Sequence, residues 1–323
     1  MMNIEETKTI AREVLALLGN PVAVVGSINA DLTVETARLP RPGETVPGGP
    51  LATLPGGKSA NQAVTCALLG AKTSFIGVLG RDAHGDLLYQ SLRNAGVDLS
   101  GTARVDHPTG STLITVDAQG ENTIVYSAGA NAALTGEQVS AQAEVIQSAR
   151  VLGLCLESPL EAVQAAARTA HAAGVEVVLN YSPITTVSES LLKLVDVLIV
   201  NEHELAVLTG GPINPANHEE LQAALEGLGF ERAVLTLGAE GALVLENGAF
   251  VAIPAFPITA VDTTGSGDAF MGSLLAALAA GESLTRGACL ASGVAALAAT
   301  RMGAQASYQP AAVVADFLNK RSC

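Results

Sequence analysis

PVAVVGSINAD, residues 21–31, opens on an unbroken apolar run rich in valine and closes on two polar side chains. A strand with one wet face alternates apolar and polar residues. An unbroken β-branched run of this length marks a strand buried on both faces, as in a parallel sheet between two helical layers. In such sheets ligands bind beyond the carboxyl ends of the strands. Asn29 and Asp31 therefore stand at a candidate ligand edge, although both residue types also favour turns for their own sake. A dinucleotide site would carry GxGxxG here, and only Gly26 is present, which weakens an oxidoreductase reading.

Outward from this run the chain alternates. Helical periodicity covers 59–70, 84–95, 135–148, 160–173, 217–227, 267–280 and 284–299, and apolar runs mark strands at 72–78, 150–156, 175–179, 196–200, 232–237, 241–246 and 249–252. Strands alternating with helices of this length predict an α/β domain: a doubly wound, mostly parallel sheet with helices on both faces. Two stretches break the pattern. Residues 30–55 are rich in Pro and Gly, and 107–128 contain STLITVDAQGENTIVYS, a hairpin turning at Gln119–Gly120–Glu121. Together they predict one small β-sheet lid inserted into a domain spanning 21–323. Residues 1–20 read as a helical extension, with Ile4, Ile10, Val14, Leu17 and Leu18 on one face.

Composition narrows the partners. The 17 basic and 31 acidic residues of this 323-residue chain give a formal net charge of −14 with no basic cluster, which argues against nucleic acid and anionic membranes. A polyanionic ligand must then be held by backbone amides, isolated cations or bound metal. Cys66, Cys155, Cys289 and Cys323 are widely spaced and show no CxxC pattern, as expected of unpaired thiols in a reducing compartment. No run approaches the ~18 apolar residues of a membrane span. The acidic, amphipathic first residues do not read as a secretory leader, so a cytoplasmic protein is expected.

The strand ends supply the candidate chemistry. PGGKSANQ (55–62) lets backbone approach a ligand at Gly57, then starts a helix with Lys58 and Asn61 in its first turn. It lacks the phosphate-loop spacing GxxxxGK[ST] and suits a sugar better, though a helix start with a solvated lysine is the plainer reading. Glu157 ends the strand near 150–156, as a surface turn or as an acceptor for a hydroxyl. Asn201 and Glu204 form N-x-x-E, either a capping box or a holder of the water shell of Mg²⁺. Thr236 and Gly238 sit in a turn that lets a nucleotide lie against backbone. Finally, VDTTGSGDAF (261–270) sets the Gly265, Ser266 and Gly267 amides at the positive end of a helix, with Asp262 and Asp268 on either side.

GSINAD, GGKSAN, NEHE, VDTTGSGDAF and TRMGAQAS, in this order and spacing, resemble the ribokinases of the PfkB family of carbohydrate kinases, from Val22 to about Ala311. The resemblance implies ATP-dependent phosphorylation of D-ribose at its 5-hydroxyl, with Mg²⁺ and an activating K⁺, in a homodimer clasped through the lid. It implies Asp268 as catalytic base and Gly265, Ser266 and Gly267 as anion hole. Asn29, Asp31, Gly57, Lys58, Asn61 and Glu157 match sugar-binding positions. Asn201, Thr236, Gly238, Gly267 and Ser292 match ATP positions, and Glu204 an Mg²⁺ position acting through water. Asp262, Thr264, Ala298, Arg301, Gly303 and Ser307 match the K⁺ loop. Ser59 replaces the family's glycine in GGKGAN, and Ser292 stands where many members place Asn or His near adenine. The helix terminus is expected to lower the Asp268 pKa. Two alternatives are a kinase for 2-deoxyribose, a ketose or another small sugar, and a non-catalytic sugar-binding regulator. An intact base and anion hole argue against the regulator.

Overall fold

The computed structural model describes residues 2–320. In chain order, β1 (Pro21–Val25) is followed by β2 (Asn29–Glu35), β3 (Ala52–Gly56), β4 (Lys72–Gly80) and β5 (Thr102–Val105). Next come β6 (Ser111–Val116), β7 (Asn122–Ser127), β8 (Val151–Cys155), β9 (Glu176–Asn180) and β10 (Val197–Asn201). β11 (Ala233–Thr236), β12 (Ala242–Glu246) and β13 (Ala249–Ile253) complete the set. A nine-stranded sheet has the order β13-β12-β11-β10-β9-β8-β1-β4-β5, and β3-β2-β6-β7 form a separate four-stranded sheet. From β5 across to β11 the strands run parallel, while β12 and β13 turn antiparallel at one edge. The order reverses direction between β1 and β8, the kind of crevice in which α/β sheets bind ligands.

The valine run behaves as its pattern requires. Val22 and Val24 enter the core beneath the helices Lys58–Leu68, Ser266–Ala279 and Leu284–Ala299. Ala23 and Val25 enter the opposite core, beneath Leu160–Ala172 and His218–Gly227. A period of two on a strand flanked by helices fills two cores from one apolar run. The doubly wound fold and the small sheet expected from the sequence are both present.

Some local expectations differ. The helix expected over 135–148 is two pieces, Gly136–Ser140 and Ala143–Ser148. Val139 and Ile146 lie two helical turns apart and are buried with the break in place, so periodicity alone does not register it. The N-terminal helix, Ile4–Leu15, is capped by the Asn3 side chain and packs on Leu284–Ala299 and Ala311–Asn319. It buries Val14, and Ile4, Ile10 and Leu18 pack half-buried against the same core, as expected; Thr7, Lys8 and Ala11 are buried beside them, while Leu17, beyond the end of the helix, is left 54% exposed. The strand β5 and the helix Ala311–Asn319 carry no alternation strong enough to be expected. Cys66, Cys155 and Cys289 are buried and unpaired, and Cys323 lies outside the described residues. Among the described residues no helix is long and apolar enough to cross a membrane.

Candidate active site

The TTGSGD turn delivers its side chains to one point. Gly265 is the N-cap of the helix Ser266–Ala279 in a left-handed conformation (φ 75°, ψ 0°), a geometry glycine adopts without penalty. A Cβ there would also lie 2.5 Å from the Tyr308 hydroxyl. Asp268 falls in the first turn and is 6% exposed. The Asn61 Nδ2 amide donates to Asp268 Oδ2 at 2.9 Å, and Gln62 Nε2 donates to Oδ1 at 3.3 Å. Burial raises the Asp268 pKa, with Lys58 and these two amides acting in the opposite direction. The expected lowering by the helix terminus is therefore overturned: desolvation dominates, and the carboxylate is a stronger base than an exposed one. Of the three amides read as an anion hole, Ser266 N donates to Thr263 O at 3.1 Å, which closes the turn. Gly265 N and Gly267 N have no such partner among the described residues, and the buried Ser266 hydroxyl has none either.

Beside Asp268 lies a polar pocket under the small sheet. Asn29 and Asp31 do not sit in a turn; they begin β2 and, two positions apart, share one of its faces. Gly56 lies across from Asn29 on β3, and a Cβ on it would strike the Asp31 carboxylate at 2.0 Å. Gly57 (φ +92°) passes so close to Ile28 and Asn29 that a Cβ would sit 2.7 Å from Asn29 N. Glu157 Oε2 accepts from the Ser27 hydroxyl, Lys58 N at 3.0 Å and Asn29 Nδ2 at 3.3 Å. Asp31 Oδ1 accepts from the hydroxyl of Thr112, its cross-strand partner on β6. Asn131 locks the arrangement from behind: it donates to Asn29 Oδ1 at 2.7 Å and Ile28 O at 3.2 Å and accepts from Ile28 N at 3.0 Å.

This pocket gathers three carboxylates and one cation. Burial pushes Asp31 up to about 6, with Glu157 and Asp268 adding to the rise and Thr112 opposing it. Glu157 is also raised, first by burial. Lys58 is held protonated chiefly by Asp268, against its own desolvation. The buried Asn61 Oδ1 has no donor, which leaves an acceptor open in the pocket. Ser59 does not face this pocket. Its hydroxyl pairs with Cys155 Sγ at 3.0 Å and fills the space that a Cβ on Gly26 would need.

On the other side of the TTGSGD turn runs a cleft of about 600 Å³. Thr236, Gly238, Gly267 and Ser292 line it, with Phe256, Ala295 and Ala296 forming an apolar wall. Ser292 reaches the cleft and donates its hydroxyl to Pro254 O at 3.0 Å, so it faces a ligand as an acceptor only. Asn201 does not line the cleft. It pairs in register with Thr236, and with Glu204 it makes both bonds of a capping box, 2.8 Å each. Glu204 is buried and its pKa raised, first by desolvation. No group of three or more acidic, His or Cys side chains forms a metal cage among the described residues. A single carboxylate at a strand end suits Mg²⁺, which keeps most of its waters.

The residues matched to a cation loop also converge. Asp262 accepts from Thr264 N at 2.9 Å and from Gly303 N at 2.8 Å, tying the two segments together. Arg301 N bonds to Ala298 O, and the Ser307 hydroxyl donates to Ala304 O at 2.7 Å, leaving its oxygen lone pairs available. An oxygen-rich loop of carbonyls with one carboxylate fits a large monovalent cation.

Sequence reasoning passed over Ser27, Gln62, Thr112, Asn131 and Tyr308. Gln62 adjoins Asn61 and was within reach of the same motif. The others are brought in by the tertiary fold and carry no local signal.

The pfkB family carbohydrate kinase model matches residues 20–312. The chain belongs to that family. A ribokinase of Haemophilus influenzae is 36% identical over 300 residues, covering 92% of this chain and 98% of the relative. A deoxyribokinase of Salmonella typhimurium is 34% identical over 78% of this chain and 83% of its own. Among solved structures, Arabidopsis thaliana ribokinase complexed with ribose and ATP superposes with a TM-score of 0.87 at 33% identity, over 94% of this chain and 100% of that one. In this carbohydrate kinase the candidate pocket lies under the small sheet, beside strand ends of the large one.

Proposed function

We propose that the protein transfers the γ-phosphate of ATP to the 5-hydroxyl of D-ribose, giving D-ribose 5-phosphate and ADP. One observation carries this reading. Asp268 bonds to Asn61 on the side of the polar pocket and directly follows Gly267, which lines the cleft on the other side. A single base thus stands between a site for hydroxyls and a site for a nucleotide. The pocket positions Asn29, Asp31, Gly57, Lys58, Asn61 and Glu157 hold the sugar. Asp268 accepts the proton of the 5-hydroxyl as the new O–P bond forms, and the bond from the γ-phosphorus to the bridging oxygen of ADP breaks. The Gly265 and Gly267 amides and the Ser266 hydroxyl take the charge on the transferring phosphoryl oxygens.

Mg²⁺ bound to ATP neutralises phosphate charge when present, and Asn201 and Glu204 would hold its water shell. K⁺ would sit among Asp262, Thr264, Ala298, Arg301, Gly303 and Ser307. We place the enzyme in the cytoplasm, in keeping with the widely spaced, unpaired Cys66, Cys155 and Cys289, and as a homodimer, since Leu113, Ile124 and Val125 of the small sheet are each more than half exposed. The test is ATP consumption by the purified protein across free pentoses and hexoses, with product identity checked by mass and by chromatography. Turnover should be fastest with D-ribose, with 2-deoxyribose slower, and higher in potassium than in sodium salts. Absence of turnover on D-ribose would overturn the assignment, and absence on every sugar would point to a sugar-binding regulator.

A further inference from the structure

Gly265 lacks a side-chain cap, and its carbonyl is the first acceptor of the helix that carries Asp268. That carbonyl takes two donors. Ala269 N reaches it at 2.9 Å from within the helix, and the Tyr308 hydroxyl reaches it at 2.9 Å from another segment. Tyr308 follows the short turn Gln305–Ser307, and its ring is only 5% exposed, packed in the same core as Phe270 and Ala304. The Gly265 carbonyl and the Ser266 amide belong to one rigid peptide plane. Holding the oxygen therefore also fixes the direction of Ser266 N–H, which closes the turn on Thr263 O at 3.1 Å. It fixes in addition the point from which Gly267 and Asp268 start. A glycine in the left-handed region has neighbouring conformations open to it, so this plane needs an outside anchor to keep one orientation.

We propose that Tyr308 is a positioning residue for phosphoryl transfer: its hydroxyl, bonded to the Gly265 carbonyl, holds the anion-binding turn in the orientation that meets the transferring phosphate. It touches neither substrate. Its effect falls on the transfer state rather than on binding of sugar or ADP. The Gly265 side of the contact is equally close-fitted, since a Cβ there would meet Ala304 Cβ at 2.8 Å as well as the phenol oxygen.

The proposal rests on the kinase reading above, and the test separates the two. Tyr308→Phe removes one oxygen and keeps the buried ring, so the fold is retained. Wild-type turnover on ribose tests the kinase reading. The ratio of variant to wild type tests the role of Tyr308. The expected result is a kcat lower by roughly five- to tenfold, the worth of one neutral hydrogen bond, with KM for ribose and for ATP within twofold. A second readout needs no turnover. Affinity for ADP with aluminium fluoride, whose planar fluoride mimics the phosphoryl group in flight, should fall about tenfold in the variant, while affinity for ADP alone stays within twofold. An unchanged kcat, or equal loss of affinity for ADP and for the fluoride complex, overturns the proposal. A lowered thermal midpoint with unchanged kcat would assign the bond to stability alone and equally overturns it.

Discussion

Asp268→Asn separates chemistry from stability because the structure gives the two effects opposite signs. The carboxylate accepts one amide on each oxygen, from Asn61 and from Gln62, and both of those side chains keep a buried carbonyl oxygen without a donor. An asparagine at 268 presents one oxygen and one NH₂. Either neighbouring amide can turn over and offer its orphaned oxygen to that NH₂, so the network is satisfied again without backbone movement. The variant also removes a buried charge. Because burial raises the folded-state pKa of Asp268, the folded protein binds more protons than the unfolded chain between the two pKa values. Its ionisation thus costs stability as pH rises through that window, and the cost persists at neutral pH. The thermal midpoint of Asp268→Asn at pH 7.5 should equal or exceed that of the wild type. Loss of a general base costs about 10²–10⁴ in rate, or about 3–5 kcal/mol of transition-state stabilisation. Differential scanning fluorimetry, calorimetric titration with ATP and a coupled ADP assay on one preparation suffice. ATP affinity should stay within about twofold. A variant that keeps more than a tenth of wild-type kcat, or that loses activity only by unfolding, refutes the assignment of Asp268 as base.

Two further outcomes follow from the polar pocket. Asp31, pushed up to about 6, should be protonated below that pH, so KM for ribose should rise as pH falls through 6 while kcat changes less. Its raised pKa means acidification does not cost folded stability through this group, and Asp31→Asn should abolish the pH dependence of KM; a dependence that survives in the variant belongs to another group. Asn131→Ala strands Ile28 N–H and Asn29 Oδ1 in the interior, which should cost about 1–3 kcal/mol in urea melts and raise KM for ribose about tenfold. A destabilised variant with wild-type KM would show that Asn29 is held by its strand alone.

The sequence made the parallel sheet legible because a strand buried on both faces leaves an apolar run that few other elements leave. It made the ligand edge legible because polar residues that directly follow such runs stand out. Asn29, Asp31 and Glu157 were found in this way, and Lys58, Asn61 and Asp268 by the glycine-rich turns that start their helices. The supports of those residues were not. Asn131 is 102 positions from Asn29, and Tyr308 is 43 positions from Gly265; each lies in a stretch whose own pattern is unremarkable in residue type. The apolar wall of the cleft was hidden for a different reason. Phe256, Ala295 and Ala296 carry the same signature as core residues, and only the packing leaves them facing open space. The Asp268 pKa went astray because a helix terminus is visible in sequence, whereas the depth of burial that outweighs it is not.

The same packing argues for a neutral acceptor. With Asp31, Glu157 and Asp268 ionised and Lys58 protonated, the gathered side chains carry a net charge of 3 − 1 = 2 negative units around a space where hydroxyls are wanted. A sugar donates its hydroxyl protons to these acceptors and adds no charge. A phosphorylated sugar would bring a dianion against three carboxylates in a site whose burial weakens screening. Lys58 cannot serve it, because its strongest partner is Asp268, and drawing it away would leave the base more deeply uncompensated. The carboxylates beside the anion-binding turn do not conflict with phosphate for a related reason. Asp262 spends both oxygens on backbone amides of Thr264 and Gly303, and Asp268 spends its own on Asn61 and Gln62. Each acid is turned toward donors of its own, which leaves the Gly265 and Gly267 amides and the Ser266 hydroxyl to face the nucleotide.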